Sequence, residues 1–155
     1  MFSYVIKLYC RKETNINWIH KKIHFELTKG ANDEKRYVVN NERPGEFKKN
    51  HYIIEKNEVG CAPEDVEDEL NELINEINAY DDMTVVSYFH AIFEYIHPFS
   101  DGNGRVGRTL INYYLLIHDI LPLIIYDEDK KYYYECLEKF DNEDDISSLK
   151  EFLTY

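Results

Sequence analysis

His97, Asp101, Asn103, Arg105 and Arg108 fall within one run of the chain, His97-Pro98-Phe99-Ser100-Asp101-Gly102-Asn103-Gly104-Arg105-Val106-Gly107-Arg108. These residue types suit group transfer from a phosphorylated substrate. An imidazole titrates near about 6.5, so His97 is a natural general base at working pH. A carboxylate would repel bare polyphosphate. Asp101 therefore makes sense as a ligand of a hard divalent ion such as Mg2+, placed between carboxylate and phosphate oxygens. Gly102 and Gly104 allow left-handed backbone angles and let a phosphate approach without a Cβ in the way. Asn103 can bond a phosphoryl oxygen. Arg105 and Arg108 are neighbours on the first turn of a following helix, and two guanidiniums there suit a polyphosphate better than a single phosphate. Phe99 is expected to plug into the core, and Pro98 to stiffen the exit from the preceding helix. The inventory implies metal-assisted transfer of part of a nucleotide to an acceptor that His97 deprotonates. The competing account is a well-capped turn between helices whose acid and arginines pair with each other. Two glycines alone would favour that account; base, acid, amide and two spaced arginines do not.

The run must be positioned by what flanks it. Val85 to Ile96 and Val106 to Ile117 are apolar nearly all round, which predicts two buried central helices. The run is then their junction, and the second helix presents its N-terminal N–H groups and dipole to an anion. Upstream, Thr14 or Asn15 can cap a helix carrying Ile16, Ile19, Ile23 and Leu27, which Gly30 and Asn32 stop. Residues 31–50 read as loop, broken at Asn40-Asn41 and Pro44-Gly45. His51 to Ile54 is β-prone, Glu55 to Glu58 suits a turn, and Val59 to Ala62 can return, giving one hairpin. Pro63 opens an acidic helix with Val66, Leu70, Leu73, Ile74 and Ile77 on one face, and Asp81 or Asp82 caps the next. Leu121-Pro122 ends the second central helix, and two more helices follow at about 128–140 and 146–153. The fold class is all-α with one hairpin.

Composition narrows the function. A chain of 155 residues fits one domain, long enough to bury roughly 70% of its unfolded surface. It shows no uninterrupted apolar run of about 18 residues and no signal-peptide pattern at its start. Cys10, Cys61 and Cys136 form no metal-type pair, which fits a reducing compartment. The expected setting is cytoplasmic, with no membrane partner. Residues 1–60 hold 12 Lys and Arg against 8 Asp and Glu; the remainder holds 6 against 22. An overall charge of −12 argues against a nucleic-acid partner. It also makes Arg105 and Arg108 conspicuous, because no other Lys or Arg lies between Lys56 and Lys130. His20 and His24 have metal-ligand spacing but no third ligand nearby, so packing is the better reading. His90 is expected to be a satisfied core histidine; Tyr132-Tyr133-Tyr134 could line an adenine pocket or accept self-modification, but with fourteen tyrosines in the chain packing is the better reading for most.

His97 to Arg108 resembles the Fic-family signature, His-x-Phe-x-[Asp/Glu]-Gly-Asn-Gly-Arg-x-x-Arg, with every specified position filled. The order of elements over roughly 14–153 is similar to that family's. The resemblance implies a single Fic domain over 1–155, a Fic-type helical bundle whose hairpin at about 51–62 is a flap. It implies adenylylation: AMP passes from ATP to a Tyr, Ser or Thr hydroxyl of a target protein, and pyrophosphate leaves. In that scheme His97 deprotonates the hydroxyl and Asp101 binds Mg2+. The 102–104 backbone with Asn103 forms an anion hole; Arg105 and Arg108 hold the distal phosphates, Arg108 the γ-phosphate. The flap pairs with the target's backbone, with His51 to Glu55 as its strand and Ile53 or Ile54 as its clamp. Lys48 stands where the family's pattern expects Arg after Gly-x-aromatic.

Doc-like kinases of the superfamily typically have Lys at the position of Gly104 and often Ala at that of Gly102, where phosphocholine transferases also tend to carry Ala. The intact Gly-Asn-Gly-Arg run favours nucleotidyl transfer, without separating ATP from UTP or GTP. Many relatives carry an inhibitory helix, [Ser/Thr]-x-x-x-Glu-[Gly/Asn]. Upstream there is no match. Downstream, Ser147 to Phe152 matches in part, with Glu151 in register, but Leu149, Phe152 and Leu153 read better as the inner face of a terminal helix. Restraint by a small antitoxin that supplies the glutamate is the expectation. The alternatives are transfer of another nucleotide or phosphoryl group, or a Fic-like module that binds nucleotide or protein without turnover.

Overall fold

Two apolar helices joined through the motif form the centre of the molecule, which is a computed structural model describing residues 16–31, 34–54, 57–77 and 82–154. In chain order these are α1 (Ile16–Thr28), α2 (Glu34–Val39), β1 (Tyr52–Ile54), β2 (Asn57–Val59), α3 (Val66–Ile77), α4 (Asp82–Ile96), α5 (Asn103–Ile117), α6 (Lys130–Glu143) and α7 (Ser147–Thr154). Single 3-10 turns at Pro63–Asp65 and Asp127–Asp129 lead into α3 and α6. The capping residues Thr14, Asn15 and Asp81 lie outside the described residues, as do Cys10 and Asn32.

α4 and α5 are central because they have almost no polar face to offer water. Val85, Val86, Phe89, Ala91, Phe93 and Ile96 of α4 are buried, as are Val106, Leu110, Ile111, Tyr113 and Leu115 of α5. They pack closely at Gly107, where a Cβ would stand 3.1 Å from His90 Nδ1 and 3.2 Å from a Phe93 ring carbon. α3 and α7 pack on α4, α6 packs on α4 and α7, and α1 covers the N-terminal half of α5. α3 applies Val66, Leu70 and Leu73 to this core and turns its acids outward. α7 inserts Leu149 and Leu153.

The hairpin is a two-stranded antiparallel ribbon in the register Tyr52↔Val59, Ile53↔Glu58 and Ile54↔Asn57. Its strands are three residues long, too short to be stable without the helices behind them.

One expectation fails. Residues 31–50 are not all loop, since α2 runs through Glu34–Val39. Its Val38 and Val39 are 74% and 70% exposed, so no apolar stripe marks it in the sequence. A six-residue helix has little stability of its own. This one is fastened from outside by Arg43, which donates to the Tyr37 carbonyl at 2.6 Å and lies over the Tyr37 ring, while its own Arg36 faces Asp101 at 3.3 Å. α6 also runs three residues past Phe140, until Asp144 takes a left-handed φ of 55°. No helix among the described residues is long and apolar enough to cross a membrane.

Candidate active site

The turn between α4 and α5 is braced from inside and from below. Phe99 is fully buried and its ring lies flat on the His24 ring, with centroids 3.9 Å apart and 3° between planes. Phe47 closes the other side at 5.6 Å. His24 bonds at both nitrogens: Nδ1 accepts the Gly45 N–H at 2.9 Å, and Nε2 lies 3.0 Å from the Asp101 carbonyl. An N–H donor at one end and a carbonyl acceptor at the other select the neutral ring with its proton on Nε2. Burial lowers the His24 pKa to about 4, so that form holds at neutral pH. His20 and His24 are therefore not a surface pair. Both are buried, and His24 ties α1 to the turn.

Asn103 has the same bracing duty. Its Oδ1 accepts the Phe99 N–H at 2.8 Å, and its Nδ2 donates to the Phe99 carbonyl at 2.7 Å. The side chain is buried and engaged at both ends. These two bonds leave the second N–H of the amide for the expected phosphoryl oxygen, and the Asn103 backbone N–H, the first of α5, can also meet an anion. Gly102 makes that orientation accessible with φ 78° and ψ 10°, a left-handed conformation that glycine adopts without strain. The N–H groups that open α5 have no acceptor one turn back, and the helix dipole adds partial positive charge.

Arg105 and Arg108 flank this N-terminus from different sides. Arg105 lies against Gly102, its Nη2 3.2 Å from where a Cβ would be, and faces Asp101 Oδ2 at 3.8 Å. Arg108 lies across Gly104, its Nη1 3.0 Å from that glycine's Cβ position. Beside it is a residue outside the motif, Glu94. Its Oε1 comes within 3.4 Å of the same point and has no hydrogen-bond partner. Burial pushes the Glu94 pKa up to about 7, against the pull of Arg108. Glu94 is the one carboxylate in the apolar run from Val85 to Ile96, and that isolation is the signal by which the sequence could have disclosed it. Below them Tyr133 is buried against His90 Nε2 and also bonds Arg108, and burial raises its phenol pKa.

Asp101 is exposed. Its Oδ1 accepts the Gly102 N–H at 2.7 Å, and its Oδ2 faces Arg36 at 3.3 Å as well as Arg105. No group of three or more His, Cys, Asp or Glu able to hold a metal occurs among the described residues. A lone exposed carboxylate still fits Mg2+, which keeps several waters and completes its shell with substrate phosphates.

His97 sits where α4 ends, with φ 51°, left-handed although it carries a side chain. Tyr52 of β1 stacks on its ring at 5.0 Å, so the hairpin roofs the imidazole. Burial lowers its pKa, and the Lys48 ammonium lowers it further. The ring is thereby kept neutral and able to accept a proton. Ile53 is 61% exposed on the hairpin. Ile54 closes β1, and its side chain lies outside the described residues. A cleft of about 380 Å³ opens beside Asp101, lined by Thr28, Arg36, Tyr37, Arg43 and Ser100 among others. Glu151 is exposed on α7, near Tyr132 and Cys136.

The geometry has counterparts. The model of the Fic/DOC family matches residues 13–115. A protein adenylyltransferase Fic of Nematostella vectensis is 32% identical over 99 residues, covering 59% of this chain and 23% of that protein. A probable protein adenylyltransferase of Aquifex aeolicus is 50% identical over 42 residues, 27% of this chain and 13% of that protein. The chain thus spans under a quarter of the length of these relatives. Among solved structures, Fic-1 of C. elegans superposes with a TM-score of 0.75 at 18% identity, over 96% of this chain and 44% of that one. A Fic family protein of Desulfovibrio desulfuricans G20 superposes at 0.72 and 21% identity, over 97% and 47%. At such identities the superpositions speak for the fold.

Proposed function

The chain belongs to the Fic/DOC family, and we propose that within it this protein is an adenylyltransferase moving AMP from ATP to a Tyr, Ser or Thr hydroxyl of a target protein. The observation that carries the reading is the convergence at one turn of a neutral imidazole, an outward-facing helix N-terminus and two guanidiniums. The ATP polyphosphate lies against the N–H groups of Asn103, Gly104 and Arg105, where a Cβ at Gly102 or Gly104 would crowd the arginines. His97 accepts the proton of the target hydroxyl. The hydroxyl oxygen bonds to the α-phosphorus, the bond from that phosphorus to the bridging oxygen breaks, and pyrophosphate leaves with the electron pair. Arg105 and Arg108 stabilise the charge gathering on the leaving group. Asp101 is the residue that would hold Mg2+, which would supply further neutralisation of phosphate charge.

The target lies along β1 by strand addition, with Ile53 and Ile54 clamping it. The reaction belongs to a reducing, cytoplasmic setting, and a small antitoxin-like partner restrains it with a glutamate directed at Arg108. Incubation with a cell lysate, Mg2+ and ATP labelled on the α- or the γ-phosphate tests the reading. Label retained on protein from α alone is the expected result. Retention from γ would make the enzyme a kinase, and no retention from either would leave a binding module.

A further inference from the structure

Lys48 is the one lysine buried among the described residues, at 3% exposure, and it lies against the stretch of chain that carries His97. Its backbone N–H donates to the Pro98 carbonyl at 2.9 Å, and its Nζ donates to the Ile96 carbonyl at 3.3 Å. One residue thus holds the carbonyls on both sides of His97. The Ile96 carbonyl also receives the Cys61 N–H at 3.2 Å. Gly60, with φ 82°, lets the returning strand come down on this point; a Cβ there would stand 2.5 Å from the Ile96 oxygen, 2.6 Å from His97 Cβ and 2.8 Å from Lys48 Nζ. The arrangement explains how His97 stays left-handed, a conformation that strains a residue with a Cβ and persists only when its surroundings impose it.

We propose that Lys48 is a positioning residue for His97: it clamps the backbone on either side of the histidine and sets a fixed positive charge beside the imidazole. Transfer of a hydroxyl proton needs a base whose direction is fixed and whose resting form is neutral. The clamp supplies the first and the ammonium the second. Burial lowers the Lys48 pKa from its ordinary 10.5, and the Cys61 thiol beside it opposes that shift. The other groups facing His97 are the Glu94 backbone carbonyl, which accepts from the ring and favours the charged imidazole, the Asp101 carboxylate, which does the same, the stacked Tyr52 ring, and the Cys61 thiol beside Lys48, whose pKa burial raises.

The catalytic part of this proposal rests on His97 being the general base; the test therefore reads the imidazole itself. The His97 ring is titrated by NMR in the full chain, assigned by its loss in His97→Ala, for wild type, Lys48→Met and Lys48→Arg. Wild type should titrate below about 6.5. Lys48→Met should titrate higher than wild type, since a like charge has been removed. Lys48→Arg should keep the wild-type midpoint. In label transfer, the acid limb of the rate profile should move by the same interval while the KM for ATP is unchanged. A folded Lys48→Met with an unshifted imidazole would overturn the proposal. If Lys48→Met does not fold, Lys48→Arg and wild type decide: a wild-type midpoint at or above the ordinary value overturns it. Titrations as stated with no transfer from any variant would count against the adenylyltransferase reading and leave the clamp standing.

Discussion

The turn from His97 to Arg108 and the hairpin at 52–59 face each other across the imidazole and are held in opposite ways. In the turn nearly every polar side chain has its bracing partner within the fold. Asn103 is closed on Phe99, His24 on Gly45 and Asp101, and the Phe99 ring is stacked and fully buried. In the hairpin the two strands pair chiefly with each other, Ile53 points to solvent, and contact with the chemistry comes through the Tyr52 ring on His97 and the close approach of Gly60. Phosphate is the same in every nucleotide, so its cradle gains from rigidity. A target protein presents a variable backbone, and a short ribbon with a free edge can accept it. The difference separates what must be fixed from what must adapt.

That division can be broken at four places, in order of falling effect. Replacing His97 by Ala should cut label transfer by about 10²- to 10⁴-fold, the usual range for a lost general base. ATP affinity by calorimetry should be retained. Replacing Asn103 by Ala removes two hydrogen bonds and strands the buried Phe99 backbone, which should cost about 2–3 kcal/mol. In a chain of this size each kcal/mol lost lowers the melting temperature by about 2–4 °C, and ATP binding should weaken along with it. A side chain that merely touched phosphate would lower affinity and leave the melt alone.

The third place is acid. The His24 pKa in the fold, about 4, lies below the ordinary 6.5, and His90 is held down to about 3. The unfolded chain therefore binds more protons in this window. Stability from these groups is full above about 6.5 and is lost as pH falls toward 4. Glu94, raised to about 7 from 4.5, acts oppositely between those two values. Melts across pH 7 to 4 should show a shallower loss for His24→Gln than for wild type and a steeper one for Glu94→Gln. The smallest change in stability belongs to the hairpin. Ile53→Ala should leave stability within about 0.5 kcal/mol and still reduce label on the target, a split that the bracing residues Asn103 and Phe99 should not show.

What the chain discloses by itself follows the same division. The motif is legible because close approach to an anion demands particular types at particular spacings: Gly102, Gly104, Arg105 and Arg108 could hardly be exchanged for others. α3, α4 and α5 are legible because each buries a face, and Val66, Leu70 and Leu73 recur at helical spacing. α2 is not, because a helix with exposed Val38 and Val39 leaves no stripe. The bracing is not legible in the sequence, because His24 reaches Gly45 and Asp101, and Lys48 reaches Pro98, only once α1, the 45–48 loop and the turn have come together. The bracing by Asn103 is hidden for a local reason: an amide beside two glycines looks like a ligand, and only the folded turn shows that it also closes on the Phe99 backbone four residues earlier.

The central claim is that His97 triggers transfer on a nucleotide that the turn binds without it. Intact-mass spectrometry of a captured target after incubation with ATP and Mg2+, run in parallel with ATP calorimetry on wild type and His97→Ala, tests this most directly. The account predicts a target heavier by one AMP group with wild type, no added mass with His97→Ala, and the same ATP affinity for both. An AMP group still added by His97→Ala, or a phosphoryl group added by wild type, would contradict it.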